Sequence, residues 1–157
     1  MQDKNKKREM RDKVCAFQLD ERLAAASLPL TIRHNLDYRL MNDSRFVWLL
    51  LIPRLPDITE WSDLALDLQH DLFHRATQLA EKLKNETGAD KMNIATIGNM
   101  VSQFHLHIIA RKTDDALWPD PVWGKPGAIA YSTAEQDTLT ARLMALIDQL
   151  DEEESQP

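Results

Sequence analysis

Two histidines separated by a single residue are the most chemically suggestive feature of the sequence, and they lie in the string QFHLHIIAR. Because side chains alternate along a β-strand, this string places Gln103, His105 and His107 on one face, while apolar residues occupy the other. Imidazoles, with an unperturbed pKa of about 6.5, can act near neutral pH as nucleophiles or hydrogen-bond donors. The pattern by itself also fits a half-polar strand whose histidines only form hydrogen bonds.

The elements that must position this strand are indicated by hydrophobic periodicity and turn residues. Strand-like segments occur in pairs joined by turn residues, as in a hairpin. Between the pairs lies one long amphipathic helix, in which leucine and alanine recur every three or four residues. Strands therefore do not alternate with helices throughout, and the predicted fold class is α+β with a mainly antiparallel sheet.

Caps and breakers predict the boundaries of these elements. Pro29 ends a first short helix, and Thr59 is the predicted N-cap of the long helix, which stops at Gly88. Ser132 and Glu135 form a capping box before the last helix. The predicted elements are helices over 19–27, 59–85 and 133–150, and strands over 35–41, 45–53, 91–97 and 102–110.

The length of 157 residues predicts one domain with one core. We expect a flexible basic tail over 1–13, a single domain over 14–150 and an acidic tail over 151–157. The chain has only four glycines, all isolated, which excludes the usual glycine-rich phosphate-binding loops. Its single cysteine, Cys15, excludes an intramolecular disulfide and fits a reducing compartment.

Charge and hydropathy narrow the range of partners. The formal net charge is −6, and the body of the chain between the two tails is mildly acidic and lacks the clustered Lys/Arg face of a nucleic-acid-binding protein. The longest apolar run, over 46–52, is far shorter than the roughly 20 residues that span a bilayer. No apolar signal-peptide core follows the basic N-terminal residues. These observations predict a cytoplasmic protein that binds neither nucleic acid nor membrane.

Three segments together resemble the histidine triad (HIT) superfamily of nucleotide hydrolases and transferases, whose motif is His-φ-His-φ-His-φ-φ with φ apolar. They are QFHLHIIAR, the upstream GNMV, where the family usually has Gly-Gln-Ser/Thr-Val, and LLIPR, which is similar to the family's LVVPK. The resemblance covers about residues 36–124 and implies a HIT-like fold with an antiparallel sheet of about five strands. The longer pattern is similar to a bacterial, diadenosine polyphosphate hydrolase-like branch in which glutamine replaces the first histidine.

The resemblance implies a homodimeric nucleotide hydrolase that cleaves a phosphoanhydride or phosphoramidate at the α-phosphate. His105 falls on the middle histidine of the motif and would form a covalent nucleotidyl-histidine that water hydrolyses. His107 would donate a hydrogen bond to a non-bridging phosphate oxygen. Gln103 could still orient a neighbour, but its amide cannot titrate. No cofactor is expected to be required, although a divalent cation could accompany the substrate.

Further residues are predicted to bind the substrate because they lie at or near motif positions. Asn99 replaces the family's phosphate-contacting glutamine, and Gly98 would let the backbone approach closely. Leu40 stands where the family often has a ribose-binding aspartate. Asn42 or Asp43 could bind the ribose instead. Arg54 and Arg111 could steer the phosphate or could be ordinary strand-end charges. Trp123 could line the nucleotide pocket or could be a packing residue. The predicted substrate-binding set is Gly98, Asn99, Asn42, Asp43, Arg54, Arg111 and Trp123.

Two other functions fit parts of the sequence. A catalytically weak nucleotide-binding module is indicated by Gln103 and by Met100, which removes a hydroxyl near the leaving group. A metal-binding protein is indicated by His70 and His74, which are four residues apart on the long helix and could join the histidine pair. The helix lacks the glutamate of the metalloprotease motif, so no metal ligand is assigned. Trp48 also differs from the family pattern, because the family commonly has a histidine at this position.

Overall fold

A computed structural model describes residues 17–154 of the protein. Five strands form one sheet in the order β1-β2-β3-β5-β4, and all neighbours are antiparallel. The predicted α+β class, the five-stranded antiparallel sheet, the long helix and the two additional helices are confirmed. The elements are α1 (Glu21–Ala26), β1 (Ser27–Arg33), β2 (Leu36–Met41), β3 (Val47–Pro53), a 3-10 turn (Trp61–Asp63), α2 (Leu66–Thr87), β4 (Lys91–Thr96), β5 (Leu106–Arg111) and α3 (Thr133–Glu154).

The larger core lies on the face of the sheet covered by α2 and α3. In the pairing of β3 with β5, Leu49 is opposite Ile108 and Leu51 is opposite Leu106. Directly opposed residues of antiparallel strands point to the same face, so these four side chains belong to one layer. They are buried together with the apolar stripes of the two long helices, which include Leu72, Ala76, Leu79, Leu83, Leu143, Ile147 and Leu150.

The other face of the sheet carries a smaller core and one of the two histidines of the motif. Here Leu50 is opposite His107, and Trp48 is opposite Ile109. A second cluster of buried apolar residues covers this face, and Leu23 of α1 and Val122 of the segment after β5 belong to it. We call this side the histidine face. It is closed by short elements, whereas the opposite face is closed by two long helices.

Strand β1 is absent from the prediction, which assigned residues 19–27 to a helix ended by Pro29. The helix ends at Ala26, and Pro29 lies inside β1, opposite Arg39 of β2. β1 is an edge strand, and its register shifts between Pro29 and Thr31. An edge position tolerates proline because its missing N–H removes no ladder bond to a further strand.

The long helix begins later than predicted. Thr59 is not its N-cap: the backbone and hydroxyl of Thr59 donate to the carboxylate of Asp63, which closes the 3-10 turn. Helix α2 then starts at Leu66, with Ala65 as its N-cap. Its predicted end is confirmed, because Gly88 is the C-cap in the left-handed conformation at φ 61°.

The C-terminal helix is longer than predicted and removes part of the expected acidic tail. α3 continues to Glu154 instead of ending at residue 150. Arg75 of α2 explains the extension, because its guanidinium donates to Asp151 at 2.7 Å and also to Glu154. These two ion pairs hold the last turn of α3 against α2. The predicted basic tail over 1–13 lies outside the described residues, and no described helix is long and apolar enough to cross a membrane.

Candidate active site

His105 lies immediately before β5, and its ring is held by a contact with its own loop. The ring Nδ1 is 2.7 Å from the backbone carbonyl oxygen of Gln103. Because a carbonyl oxygen only accepts hydrogen bonds, Nδ1 must carry the proton. In the neutral ring the lone pair is then on Nε2. This tautomer makes Nε2 the nucleophilic atom of His105.

His107 has the complementary arrangement. Its Nδ1 accepts a hydrogen bond from the indole Nε1–H of Trp48 at 2.9 Å, so the proton of the neutral ring is on Nε2. This Nε2 is buried and has no hydrogen-bond partner among residues 17–154. Burial, followed by the nearby His105, lowers the pKa of His107 to about 3. The ring is therefore neutral near pH 7 and presents one unpaired N–H.

The two imidazoles are in contact and enclosed. Their ring centroids are 4.7 Å apart with an interplanar angle of 74°, and His105 and His107 are only 6% and 5% exposed. The ring that carries the Nε2 lone pair therefore packs against the ring that carries the Nε2–H donor. This combination suits attack on an electrophile that carries a negatively charged oxygen.

The predicted strand over 102–110 begins later than expected, because β5 starts at Leu106, so Gln103 and His105 precede it and His107 alone of the three lies on the strand. The side chain of Gln103 faces the N-terminal segment, where Nε2 donates to the backbone oxygen of Gln18 at 2.8 Å and Oε1 accepts from the backbone N–H of Asp20 at 2.9 Å. Its backbone carbonyl orients His105. The amide of Gln103, expected to orient a neighbouring residue of the motif, instead holds residues 18–20 against the histidine loop, and the contact that orients His105 comes from the backbone.

Gly98 and Asn99 lie in the loop between β4 and β5 and are exposed. The loop curls back on itself, since a Cβ at Gly98 would be 3.4 Å from the backbone oxygen of Val101. Arg22 of α1 donates to the backbone oxygen of Met100 at 2.6 Å. α1 and Gln103 therefore tie the N-terminal segment to this loop at two places.

Arg54 follows β3 and its side chain is partly exposed. Its guanidinium stacks 4.7 Å from the ring centroid of Phe17, and Nη1 is 4.0 Å from a carboxylate oxygen of Asp37. Burial raises the pKa of Asp37, although the cations of Arg39 and Arg54 oppose the shift. Arg54 is thus the predicted phosphate-steering arginine that keeps partial access to solvent.

Three other predicted substrate-binding residues are engaged elsewhere. Arg111 is 1% exposed and forms an ion pair with Asp115 at 2.6 Å. Asn42 accepts from the backbone N–H of Tyr131 at 3.0 Å, and Asp43 forms an ion pair with Arg45 at 2.7 Å. These contacts fix the chain segments after β5 and before α3. The hydrogen bonds and ion pairs named here thus go to other residues than the two histidines, although Asn42 and Asp43 line a cavity together with Trp48.

Trp123, in contrast, packs against His107. Its ring is 5.4 Å from that of His107 and 6.2 Å from that of Trp48, edge-on in both cases. Its indole Nε1 is buried and, like Nε2 of His107, has no partner among the described residues. Trp48 was noted in the sequence only as a departure. Its contact with His107 joins residues 59 positions apart, which no local pattern reveals.

The four-histidine metal site considered from the sequence is not formed. His70 and His74 are exposed on α2, which packs on the face opposite the histidine face. Within residues 17–154, the one group of three His, Cys, Asp or Glu side chains with metal-compatible spacing is His34, Asp151 and Glu154. Both of its carboxylates already pair with Arg75.

The fold and the histidine pair define a protein of the histidine triad type, and comparisons with known proteins agree. The HIT domain family matches residues 35–114. A HIT protein from Sinorhizobium meliloti 1021 is 41% identical over 84% of this chain and 98% of its own, with a TM-score of 0.80. A histidine triad protein from Marinobacter aquaeolei VT8 is 41% identical over 86% of this chain and 98% of its own, with a TM-score of 0.83. One from Bradyrhizobium japonicum is 37% identical over 84% of this chain and 98% of its own, with a TM-score of 0.81.

The chain therefore belongs to the HIT family, whose members are in general nucleotide-binding hydrolases and transferases. No curated protein matches it.

Proposed function

We propose that the protein is a nucleotide hydrolase that cleaves a phosphoanhydride or phosphoramidate at the α-phosphate through a nucleotidyl-histidine on His105. The observation that carries the proposal is the hydrogen bond from Nδ1 of His105 to the carbonyl of Gln103, which leaves the Nε2 lone pair available. An N–H donor, Nε2 of His107, lies on the neighbouring ring. Diadenosine polyphosphates and nucleoside phosphoramidates are the substrate classes proposed from the family resemblance.

The reaction has two displacements at the same phosphorus. Nε2 of His105 attacks the α-phosphorus, the bond to the leaving group breaks, and the leaving group takes a proton from water. The new bond places a positive charge on the ring, which the Nδ1–H contact with the carbonyl of Gln103 stabilises. Water then attacks the phosphorus and the bond from phosphorus to Nε2 breaks, while the proton lost by this water neutralises the hydroxide left by the first step. The nucleotide and neutral His105 are released. Splitting one displacement into two lowers the barrier of each.

His107 acts on the phosphate oxygens. As negative charge develops on a non-bridging oxygen, the unpaired Nε2–H can donate to it, and the burial of this nitrogen makes such a bond strong. His107 keeps its proton throughout the reaction. Its ring is neutral, because Nδ1 accepts from Trp48, and loss of the Nε2 proton would leave an imidazolate anion. Gly98, Asn99, Arg54 and Trp123 remain the proposed substrate-binding residues.

The experiment is a rapid-quench assay with a panel of dinucleoside polyphosphates and nucleoside phosphoramidates. Intact-protein mass spectrometry should detect a nucleotide adduct, and peptide mapping should place it on His105. The His105→Ala variant should form no adduct and lose turnover, whereas His74→Ala, which changes an exposed histidine on α2, should behave like the parent protein. Absence of adduct and turnover across the panel would falsify the proposal.

A catalytically weak nucleotide-binding module is the second candidate, and the near-complete burial of both imidazoles favours it. Calorimetry with mononucleotides separates the two candidates, because the module predicts tight binding together with negligible turnover. The proposal also includes a cytoplasmic homodimer that requires no cofactor, although a divalent cation could accompany the substrate. Sedimentation tests the dimer, and turnover measured with and without a chelator tests the cation.

A further inference from the structure

Within residues 17–154, Trp48 is the one side chain that forms a hydrogen bond with a ring of the histidine pair. Its indole Nε1 lies 2.9 Å from Nδ1 of His107, and the two ring centroids are 5.5 Å apart at an interplanar angle of 55°. An indole N–H can only donate a hydrogen bond. The contact is therefore compatible with one neutral tautomer of His107, the one that carries its proton on Nε2.

The position of Trp48 is set by the sheet and by the smaller core. On β3 it is opposite Ile109 of β5, two residues beyond His107, and its side chain is 6% exposed. Trp123 packs edge-on against it from the segment after β5. A side chain held on these sides has little rotational freedom, so the direction of its N–H is fixed before any substrate arrives.

We propose that Trp48 is a positioning residue, which holds His107 in the Nε2–H tautomer and aims that donor at the phosphate. The inference rests on the proposed function, because it assigns Trp48 a part in the same reaction. Packing alone would require only an aromatic ring at residue 48. The hydrogen bond adds a requirement for an N–H at one particular place on that ring.

Without the indole N–H, His107 loses the contact that distinguishes its two ring nitrogens. Nδ1 would be a buried acceptor without a partner in the Nε2–H tautomer, and this tautomer would no longer be favoured over the other. Part of the protein would then present a lone pair, and not an N–H, to the phosphate oxygen. A lone pair facing a negatively charged oxygen repels it, so the loss appears in the chemical step.

The variant Trp48→Phe keeps an aromatic ring and removes the donor. In the parent protein, labelled with 15N in histidine, NMR should show the proton of His107 on Nε2, with the signals assigned by their disappearance in His107→Gln. In Trp48→Phe the two ring nitrogens of His107 should approach the averaged shifts of a tautomer mixture. The matched control is Trp61→Phe, which removes an indole that packs on Phe104 in the larger core.

Kinetics provides the second measurement. In Trp48→Phe the rate of adduct formation and kcat should fall about 10²-fold, the effect of removing one donor to a developing oxyanion, while KM changes little. Trp61→Phe should keep both the tautomer and the rate of the parent protein. A change in stability alone would lower the amount of folded protein without altering the tautomer of what remains folded.

The outcomes distinguish failure of the Trp48 inference from failure of the proposed function. If His107 of the unmodified protein carries its proton on Nδ1, the inference is overturned without any variant. It is also overturned if Trp48→Phe retains the parent tautomer or stays within twofold of the parent kcat. If the parent protein forms no adduct at all, the proposed function fails, whatever tautomer His107 adopts. An adduct in the parent together with a shifted tautomer and a slowed Trp48→Phe supports both.

Discussion

The guanidinium of Arg111 and the carboxylate of Asp115 form a two-point ion pair inside the protein, with Nε–Oδ2 at 2.6 Å and Nη2–Oδ1 at 3.0 Å. Asn93 of β4 accepts a further hydrogen bond from Nη1 at 3.2 Å, and the rings of Phe46 and Trp118 lie within 6 Å of the guanidinium. Arg111 is the last residue of β5, and Asp115 lies in the segment that leads to Trp123. The ion pair therefore joins the histidine strand to the segment that covers it.

Breaking this ion pair should destabilise the protein strongly. Asp115→Asn leaves the charge of Arg111 buried without a counter-charge, and we expect the free energy of unfolding to fall by about 3 kcal/mol. Urea denaturation measures the change. Asp120→Asn is the control, because its pair with Lys125 is exposed and should contribute little. Equal effects of the two substitutions would contradict the burial argument.

The lowered pKa of His107 predicts that acid destabilises the fold. Between its ordinary pKa of 6.5 and the folded-state pKa of about 3, the unfolded chain binds a proton that the folded protein does not. The free energy of unfolding therefore falls as the pH falls through this range. Between pH 7 and pH 5 the parent protein should lose about 2 kcal/mol more than His107→Gln, which cannot titrate at this position. Parallel urea curves for the two proteins at both pH values would show that burial does not suppress protonation.

Gln103 should control the exposure of the N-terminal segment. Gln103→Leu removes the hydrogen bonds to Gln18 and Asp20, so the amide of Asp20 should exchange with solvent about tenfold faster, which corresponds to about 1.4 kcal/mol. Hydrogen exchange measured by NMR tests this. Gln103→Glu retains the acceptor for Asp20 and should show a smaller effect, and Gln149→Leu on the exposed side of α3 should show none. Unchanged exchange in Gln103→Leu means that other contacts hold the segment.

Arg75 should determine where the last helix ends. Arg75→Gln removes the cation shared by Asp151 and Glu154, and it also removes the donor to the hydroxyl of Tyr38 at 3.1 Å. We expect amides 151–154 to lose protection and the free energy of unfolding to fall by about 2 kcal/mol. Lys82→Gln, which breaks a pair with the exposed Glu153, is the matched control. A last turn that stays protected in Arg75→Gln would show that helix propensity suffices.

The sequence was sufficient to predict four strands of the sheet, the long helix and the histidine pair because each depends on local patterns. Alternation identified the strand that contains His107, and the leucine repeat identified α2. Strand β1 could not be predicted, since Pro29 locally signals a break and only its edge position makes it acceptable. The end of α3 was missed for a related reason: the carboxylates of its last turn are held by Arg75, which lies 76 and 79 residues earlier.

In the site, too, local patterns predict some features, whereas others depend on residues far away in the sequence. The identities of His105 and His107 follow from spacing, but their tautomers depend on one carbonyl and one indole. The carbonyl of Gln103 is two residues from His105, whereas Trp48 lies on another strand. Arg111 was predicted to bind the substrate as a phosphate-steering charge at the end of the motif strand, with an ordinary strand-end charge as the alternative. Its burial depends on Asp115, and neither residue type nor spacing indicates that the pair turns inward.

The part of the chain that identifies the family is shorter than the part that encloses its site. Residues 35–114 contain both imidazoles and Trp48, but they exclude α1, β1, α3 and Trp123. A fragment trimmed to those limits would uncover Leu50 and Ile109 on one face and the leucines beneath α3 on the other. Such contiguous apolar surfaces promote aggregation. Fragments for expression should therefore begin no later than residue 17 and retain α3 through Glu154.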